Sequence, residues 1–308
     1  MTRRTFDLLP RWLTRTGQLG LLAGLAYLLW HSVDLPQALA YLGGADLQLL
    51  LGAALLLSVQ TLLSALRWRL TASRLGIILP LGQAIREYYL SQVVNQSLPG
   101  GVLGDAGRAV RARGQAGLLA SGQAVVFERI AGQIGLLAVL LVALALNAAR
   151  ADGITWPAGV TTALWVALAA AMVGAALALF FRQNAIGRGL SLFQDAVLAR
   201  PVFPQHAALS LATALCNIAG FALCAAAIGA PLSILAAATL IPMILFAMVL
   251  PLSISGWGLR EGAAAVLFPV AGLSASAGLA ASVAFGLTFL AVTLPGLLML
   301  RRGPDFAT

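Results

Sequence analysis

The sequence predicts an all-α polytopic membrane protein with about six full transmembrane helices and two re-entrant helical hairpins, arranged as an inverted-topology repeat. Three observations predict it. Hydrophobic residues make up 60% of the 308 residues and charged residues only 9%, with a mean hydropathy of +0.94, a composition outside that of soluble domains. Six apolar runs are long enough to cross about 30 Å of hydrocarbon, which takes roughly 20 helical residues. Two stretches 152 residues apart, Leu98 to Arg108 and Leu250 to Arg260, share Leu98/Leu250, Pro99/Pro251, Gly104/Gly256 and Arg108/Arg260.

The first run, 17–34, follows Arg3, Arg4, Arg11 and Arg15 and precedes Ala38-Leu39-Ala40. It imitates a secretory signal peptide, but further long apolar segments follow, and it is read as an uncleaved first span. The second run is 47–66, and Arg67, Arg69 and Arg74 close it on the cytoplasmic side. Region 83–114 is shorter and broken by Pro99. A complete crossing there would carry Arg108, Arg111 and Arg113 outside, against the positive-inside bias. A hairpin that enters and returns keeps them inside.

Runs 119–146, 158–181 and 206–229 then alternate direction, delivering Arg150 and Asp152 outside, Arg182 and Arg188 inside, and Gly229 outside. Region 234–272, broken by Pro251, dips and returns from the outer face. Run 276–300 brings Arg301 and Arg302 inside. The repeats are 1–154 and 155–308, each with three crossings and one hairpin, within one membrane domain. Three is odd, so the second half sits upside down relative to the first. The alternative is eight ordinary spans with a weak charge bias.

All nineteen basic residues are arginine and the net charge is +9. The arginines sit mainly at span ends, where cytoplasmic loops and anionic headgroups account for them, so nucleic acid is not expected as a partner. Cys216 and Cys224 have neither metal-ligand spacing nor the geometry of a tight local disulfide and read as small apolar fillers. His31 and His206 have no carboxylate at metal spacing, and no Gly-rich loop ends in Lys-Ser or Lys-Thr, which excludes a P-loop pump. No cofactor is expected.

Ionisable groups inside a span normally face a partner or a wet cavity. Glu128 and Arg129 lie in the apolar stretch 125–134. Neighbours in a helix do not face each other, so Arg108 or Arg260 is a candidate partner for Glu128, and Asp105 or Glu261 for Arg129. The competing reading places both at the cytoplasmic rim, snorkelling. Ser253, Gly256 and Gly258 lead into Arg260 and Glu261, where backbone N–H groups at a helix start suit phosphate and a guanidinium adds a two-pronged donor. Asn95, Gly100, Gly101, Asp105 and Arg108 repeat that offer. The plainer reading is that the glycines permit tight helix packing and the arginines only pair with Asp105 and Glu261. Glu87 is expected in a surface pair with Arg86 or a neighbour.

With these residues the chain resembles the flippase-like family of the lysylphosphatidylglycerol synthase transmembrane region. Asn95 with Leu98-Pro99-Gly100-Gly101 through Gly104-Asp105 to Arg108, Glu128-Arg129, and Pro251 through Ser253, Gly256 and Gly258 to Arg260-Glu261 carry the resemblance, over roughly residues 15–300. Leu103 stands where many relatives have glycine, which stiffens the first loop. The resemblance implies translocation of an anionic phospholipid or lipid-linked intermediate, with Arg108 and Arg260 holding the phosphate. It does not imply aminoacyl transfer, which fused relatives place in a soluble domain, and no enzymatic activity is expected. The rival expectation is a non-transporting lipid-binding partner of a glycosyltransferase or other lipid- or glycolipid-biosynthesis enzyme. The expected location is the bacterial inner membrane, multi-pass, with both termini cytoplasmic.

Overall fold

The computed structural model describes residues 33–97, 102–150, 156, 185–249 and 257–298. The expected spans 17–34, apart from its last two residues, and 158–181 lie outside them, as do Pro99, Gly100, Gly101, Pro251, Ser253 and Gly256. The described residues are almost wholly helical, without a strand. In order they are α1 (Leu35–Gly43), α2 (Leu47–Arg74), α3 (Leu81–Ser97), α4 (Leu103–Arg111), α5 (Arg113–Ala148), α6 (Ala185–Phe193), α7 (Phe203–Ala227), α8 (Ile234–Phe246), α9 (Leu259–Leu267), α10 (Ala275–Thr293) and α11 (Pro295–Leu298).

Among the described residues four helices are long and apolar enough to cross a membrane: α2, α5, α7 and the Ala275–Leu297 stretch of α10 and α11. They coincide with the runs 47–66, 119–146, 206–229 and 276–300. Their outward residues, such as Leu51, Leu55, Leu119, Val142 and Leu215, are exposed and apolar, as a lipid-facing surface requires. Local signals set the helix starts. Asp46 Oδ1 accepts from the Gln48 N–H at 2.7 Å to begin α2, and Ser233 and Ser274 hydroxyls cap α8 and α10, each supplying an acceptor to a donor that the helix leaves open. Gly117, with φ of +82°, breaks the backbone near the start of α5.

Two corrections to the expected boundaries matter. Helix α2 does not stop at 66 but runs on to Arg74, so Arg67 is inside the helix and only 5% exposed. The polar side chains Gln60, Thr61, Ser64, Arg67 and Thr71 share a buried face, which gives α2 a core to pack on beyond its apolar run. Glu87 is not on the surface. It is 2% exposed on α3 and forms an ion pair with Arg111 of α4.

Within region 83–114, α3 and α4 run antiparallel. Contacts between α3 and α4 pair Asn95 with Gly104, Ser91 with Asp105, and Glu87 with Arg111, advancing along one helix while receding along the other. Gly104 sets their separation, because a Cβ there would collide with the Ser91 backbone and the Asn95 amide. In the second half α8, with Pro242 inside it, packs against α9. Helices α2 and α7 pack most extensively and run antiparallel, with Asp46 beside Ala227, Gly52 beside Leu223, and Arg67 bonded to Thr213. A buried cluster including Leu57, Phe221, Leu240, Phe268 and Phe285 joins α2, α7, α8 and α10.

Candidate functional site

Five charged side chains meet where α2, α4 and α5 converge. Glu128, fully buried, is their centre. Its Oε1 accepts from Arg67 Nη2 at 2.7 Å, Arg67 Nε at 3.2 Å and the Tyr88 hydroxyl at 3.3 Å. Its Oε2 accepts from Arg108 Nη2 at 2.9 Å. Arg108, also fully buried, donates through Nε to Asp105 Oδ1 at 3.0 Å, and its guanidinium carbon lies 4.9 Å from the Trp68 ring centroid and 4.6 Å from that of Tyr88. Asp105 also accepts from the Ser91 hydroxyl at 2.9 Å and pairs with Arg129. A buried ion pair needs its remaining donors and acceptors satisfied, and these phenol, hydroxyl and aromatic contacts supply most of that, leaving Arg108 Nη1 without a hydrogen bond.

Of the expected partners, Glu128 takes Arg108, together with Arg67, and Arg129 takes Asp105; Glu128 is buried among protein side chains. Arg129 keeps its side chain 45% exposed. Arg67 was missed by the sequence reading because it follows an apolar run and resembled a cytoplasmic flank. The signal that would have found it is the polar series Gln60, Ser64, Arg67 and Thr71, at three- and four-residue spacing along one helical face.

The second motif builds a smaller cluster. Arg260, fully buried at the start of α9, donates through Nη2 to Glu261 Oε1 at 2.6 Å and through Nε to the Ser282 hydroxyl at 2.8 Å. Ser282 in turn donates to Glu261 Oε1 at 2.9 Å. Here adjacent residues do pair, because the Glu261 side chain turns back over the helix start and its Oε2 accepts the Gly258 N–H at 2.6 Å. Gly258 has φ of +89°, a conformation favouring glycine. That N–H, expected to face a ligand, is held by the chain's own carboxylate. The Trp257 and Phe285 rings flank Arg260 with centroids 5.0 and 5.4 Å from its guanidinium carbon, and Gly286 leaves room for the guanidinium and the Trp257 ring.

The two clusters correspond closely. Each has an arginine between two aromatic rings, a carboxylate in the first turn of its helix, and a third group from the following long helix: Glu128 from α5 in the first, Ser282 from α10 in the second. Arg108 Nη1 and Arg260 Nη1 are both buried without a hydrogen-bond partner.

A cavity of about 550 Å³ opens beside the first cluster. Its wall takes Gln60, Ser64 and Arg67 from α2, Tyr88, Gln92 and Asn95 from α3, Glu128, Arg129 and Gln133 from α5, Thr213 and Asn217 from α7, and Phe285 and Phe289 from α10. Of the site residues expected from sequence, Asn95, Glu128 and Arg129 lie on this wall. Asp105, Arg108, Arg260 and Glu261 lie in the ion clusters, and Gly258 starts α9. Asn95 Oδ1 accepts the Gly104 N–H at 2.8 Å, while its buried Nδ2 has no partner. Among the described residues there is no group of three His, Cys, Asp or Glu side chains placed to hold a metal ion.

A family model described as the lysylphosphatidylglycerol synthase TM region matches residues 17–296. The chain belongs to that family. Its membrane location and a role connected with membrane lipid follow from the family and from the apolar helices. No curated protein and no solved structure matches the chain.

Proposed function

We propose that this member of the lysylphosphatidylglycerol synthase TM-region family translocates an anionic phospholipid or lipid-linked intermediate across the bacterial inner membrane, without catalysing a covalent step. The observation that carries the proposal is the cavity: 550 Å³ with a charged and amide-lined wall, built from apolar helices of both halves. A phosphate without partners in hydrocarbon faces a cost of many kcal/mol, and such a wall lowers it while the acyl chains stay in the bilayer. Arg129 and Arg67 are the cations on the wall. Arg108 and Arg260, buried away from it, anchor α4 and α9.

An inverted repeat supplies the alternation. Supporting it, α2, α3, α4 and α5 have counterparts in α7, α8, α9 and α10 at close to the motif's 152-residue offset. Packing pairs correspond too: α3 with α4 and α8 with α9, α4 with α5 and α9 with α10, α5 with α7 and α10 with α2. The antiparallel packing of α2 against α7 supports a two-fold relation between equivalent helices.

The test is leaflet exchange of a labelled phosphatidylglycerol in liposomes carrying the purified chain. Flux above that of empty liposomes, lowered at least tenfold by Arg129→Gln in folded protein, supports transport. Bound lipid without flux, with a biosynthetic enzyme co-purifying, would instead assign the chain to holding that enzyme at the membrane.

A further inference from the structure

The cavity meets the outside of the molecule along one side of α5. Its lining there includes Val126, Ile130, Ile134 and Leu137, spaced four, four and three residues apart and so on one helical face. These four side chains are 42 to 52% exposed; they border the cavity and the molecular surface at once. Leu245 and Phe246 of α8 and Met248 just beyond it supply further apolar lining. Polar ties bracket the opening. Toward the C-terminal end of α5, Asn147 Nδ2 donates to Thr239 Oγ1 of α8 at 2.8 Å, and toward the N-terminal end Arg129 pairs with Asp105 of α4. Ile130, Ile134 and Leu137 lie between those ties.

The opening is at hydrocarbon depth. In the apolar run 119–146, about 10 Å of helix precedes Val126 and about 14 Å follows Leu137, at a rise of about 1.5 Å per residue. Leu119 and Leu141, on either side, are exposed and apolar as well. With α5 across the bilayer, the stripe faces lipid chains near the middle of the membrane, and not water. What occupies it must be apolar at the surface and polar inside, where Gln60, Arg67 and Glu128 line the cavity. The face of a second copy would match the stripe but shut the half-exposed Arg129 guanidinium against apolar side chains, which a charge disfavours. A lipid matches both, with a chain at the surface and its headgroup within.

Resting on the transport reading for the headgroup's place in the cavity, we infer that an apolar chain of the bound lipid lies along Val126, Ile130, Ile134 and Leu137, entering and leaving sideways through the opening between α5 and α8 at mid-depth of the bilayer. The stripe adds little affinity, because a chain that leaves the bilayer for aliphatic side chains exchanges one apolar surface for another. Its effect is on the path: the headgroup is held inside while the chain stays in hydrocarbon, and no chain has to pass through the polar interior.

Photo-crosslinking tests it on the full chain in phosphatidylcholine liposomes, with a trace of phosphatidylglycerol carrying a diazirine midway along one chain and adducts mapped by peptide mass spectrometry. Adducts are expected on Ile130, Ile134, Leu137 and the 245–248 segment, and should fall at least fivefold when unlabelled phosphatidylglycerol replaces part of the phosphatidylcholine. Adducts on Leu51 and Leu55, exposed on α2 and outside the cavity lining, report passing lipid and should not change. The double variant Ile130→Trp with Ile134→Trp fills the opening and is expected to remove the competed adducts at 245–248 and slow leaflet exchange at least fivefold. Leu141→Trp, exposed but outside the lining, should leave both unaltered. Stripe adducts that resist competition, or crosslinks between two copies of the chain in their place, overturn the inference, as does an equal effect of the double variant and Leu141→Trp. Competed stripe adducts without leaflet exchange would sink transport alone, and exchange with an uncompeted stripe would sink this chain path alone.

Discussion

Glu128 is the residue on which the first cluster turns, since Arg67, Arg108 and Tyr88 all direct hydrogen bonds at its two oxygens. Glu128→Gln leaves two buried guanidinium groups short of a counter-charge, and removing one partner of a buried pair costs about 3–5 kcal/mol. Thermal unfolding in detergent should show a large drop for Glu128→Gln and a smaller one for Arg129→Gln, whose side chain reaches solvent-accessible space. Adding Arg67→Met to Glu128→Gln removes one stranded charge, so the double variant should be more stable than the two single losses summed; additive losses would mean that the two side chains do not share one network. The Glu128 to Arg108 and Arg129 to Asp105 pairs were among the partners the sequence named, because the cost of isolated charge in an apolar span limits the candidates. Arg67 was not, because an arginine immediately after a plausible span reads as a flank unless the polar face preceding it is counted.

At the scale of elements, glycines decide how closely helices approach. Gly104 brings α4 onto the Ser91 carbonyl of α3, Gly135 brings α5 onto the Ser210 backbone of α7, and Gly278 brings α10 onto that of Ala264 in α9. Small residues at such crossings are what membrane helices use in place of a hydrophobic driving force. Gly104→Ala should therefore push α3 and α4 apart, break the bond from the Gly104 N–H to Asn95, and destabilise by about 1–3 kcal/mol, the usual range for overpacking, whereas Gly114→Ala, with open space around it, should leave the melting temperature nearly unchanged. That α3 and α4 are separate, antiparallel helices was readable from sequence, since proline and glycine interrupt a helix for reasons local to the backbone. The use to which Gly258 is put was not. Its expected ligand-facing N–H is occupied by Glu261, a side-chain rotamer that spacing alone does not determine.

For the whole molecule, the relation of the two halves governs how the cavity would open to either side. The antiparallel packing of α2 and α7 brings Gly43 and Gly44 near the C-terminal end of α7, and carries Ser73 toward the end where α7 begins, near Gln205. If α2 and α7 both cross the bilayer, Gly43 and Gly229 face one compartment, and Ser73 and Gln205 the other. Arginine placement in the sequence assigns the second pair to the cytoplasm. All four positions are exposed, so single cysteines there, in a background of Cys216→Ala and Cys224→Ala, can be labelled with a membrane-impermeant maleimide. Intact spheroplasts should label Gly43→Cys and Gly229→Cys, while Ser73→Cys and Gln205→Cys should react only after the membrane is opened. Labelling of all four from outside would contradict two spanning helices, and with them the inverted halves. Labelling of the reversed set would keep the repeat but turn the chain over, placing the hairpin of α3 and α4, and the charged cavity beside it, in reach of the outer leaflet first.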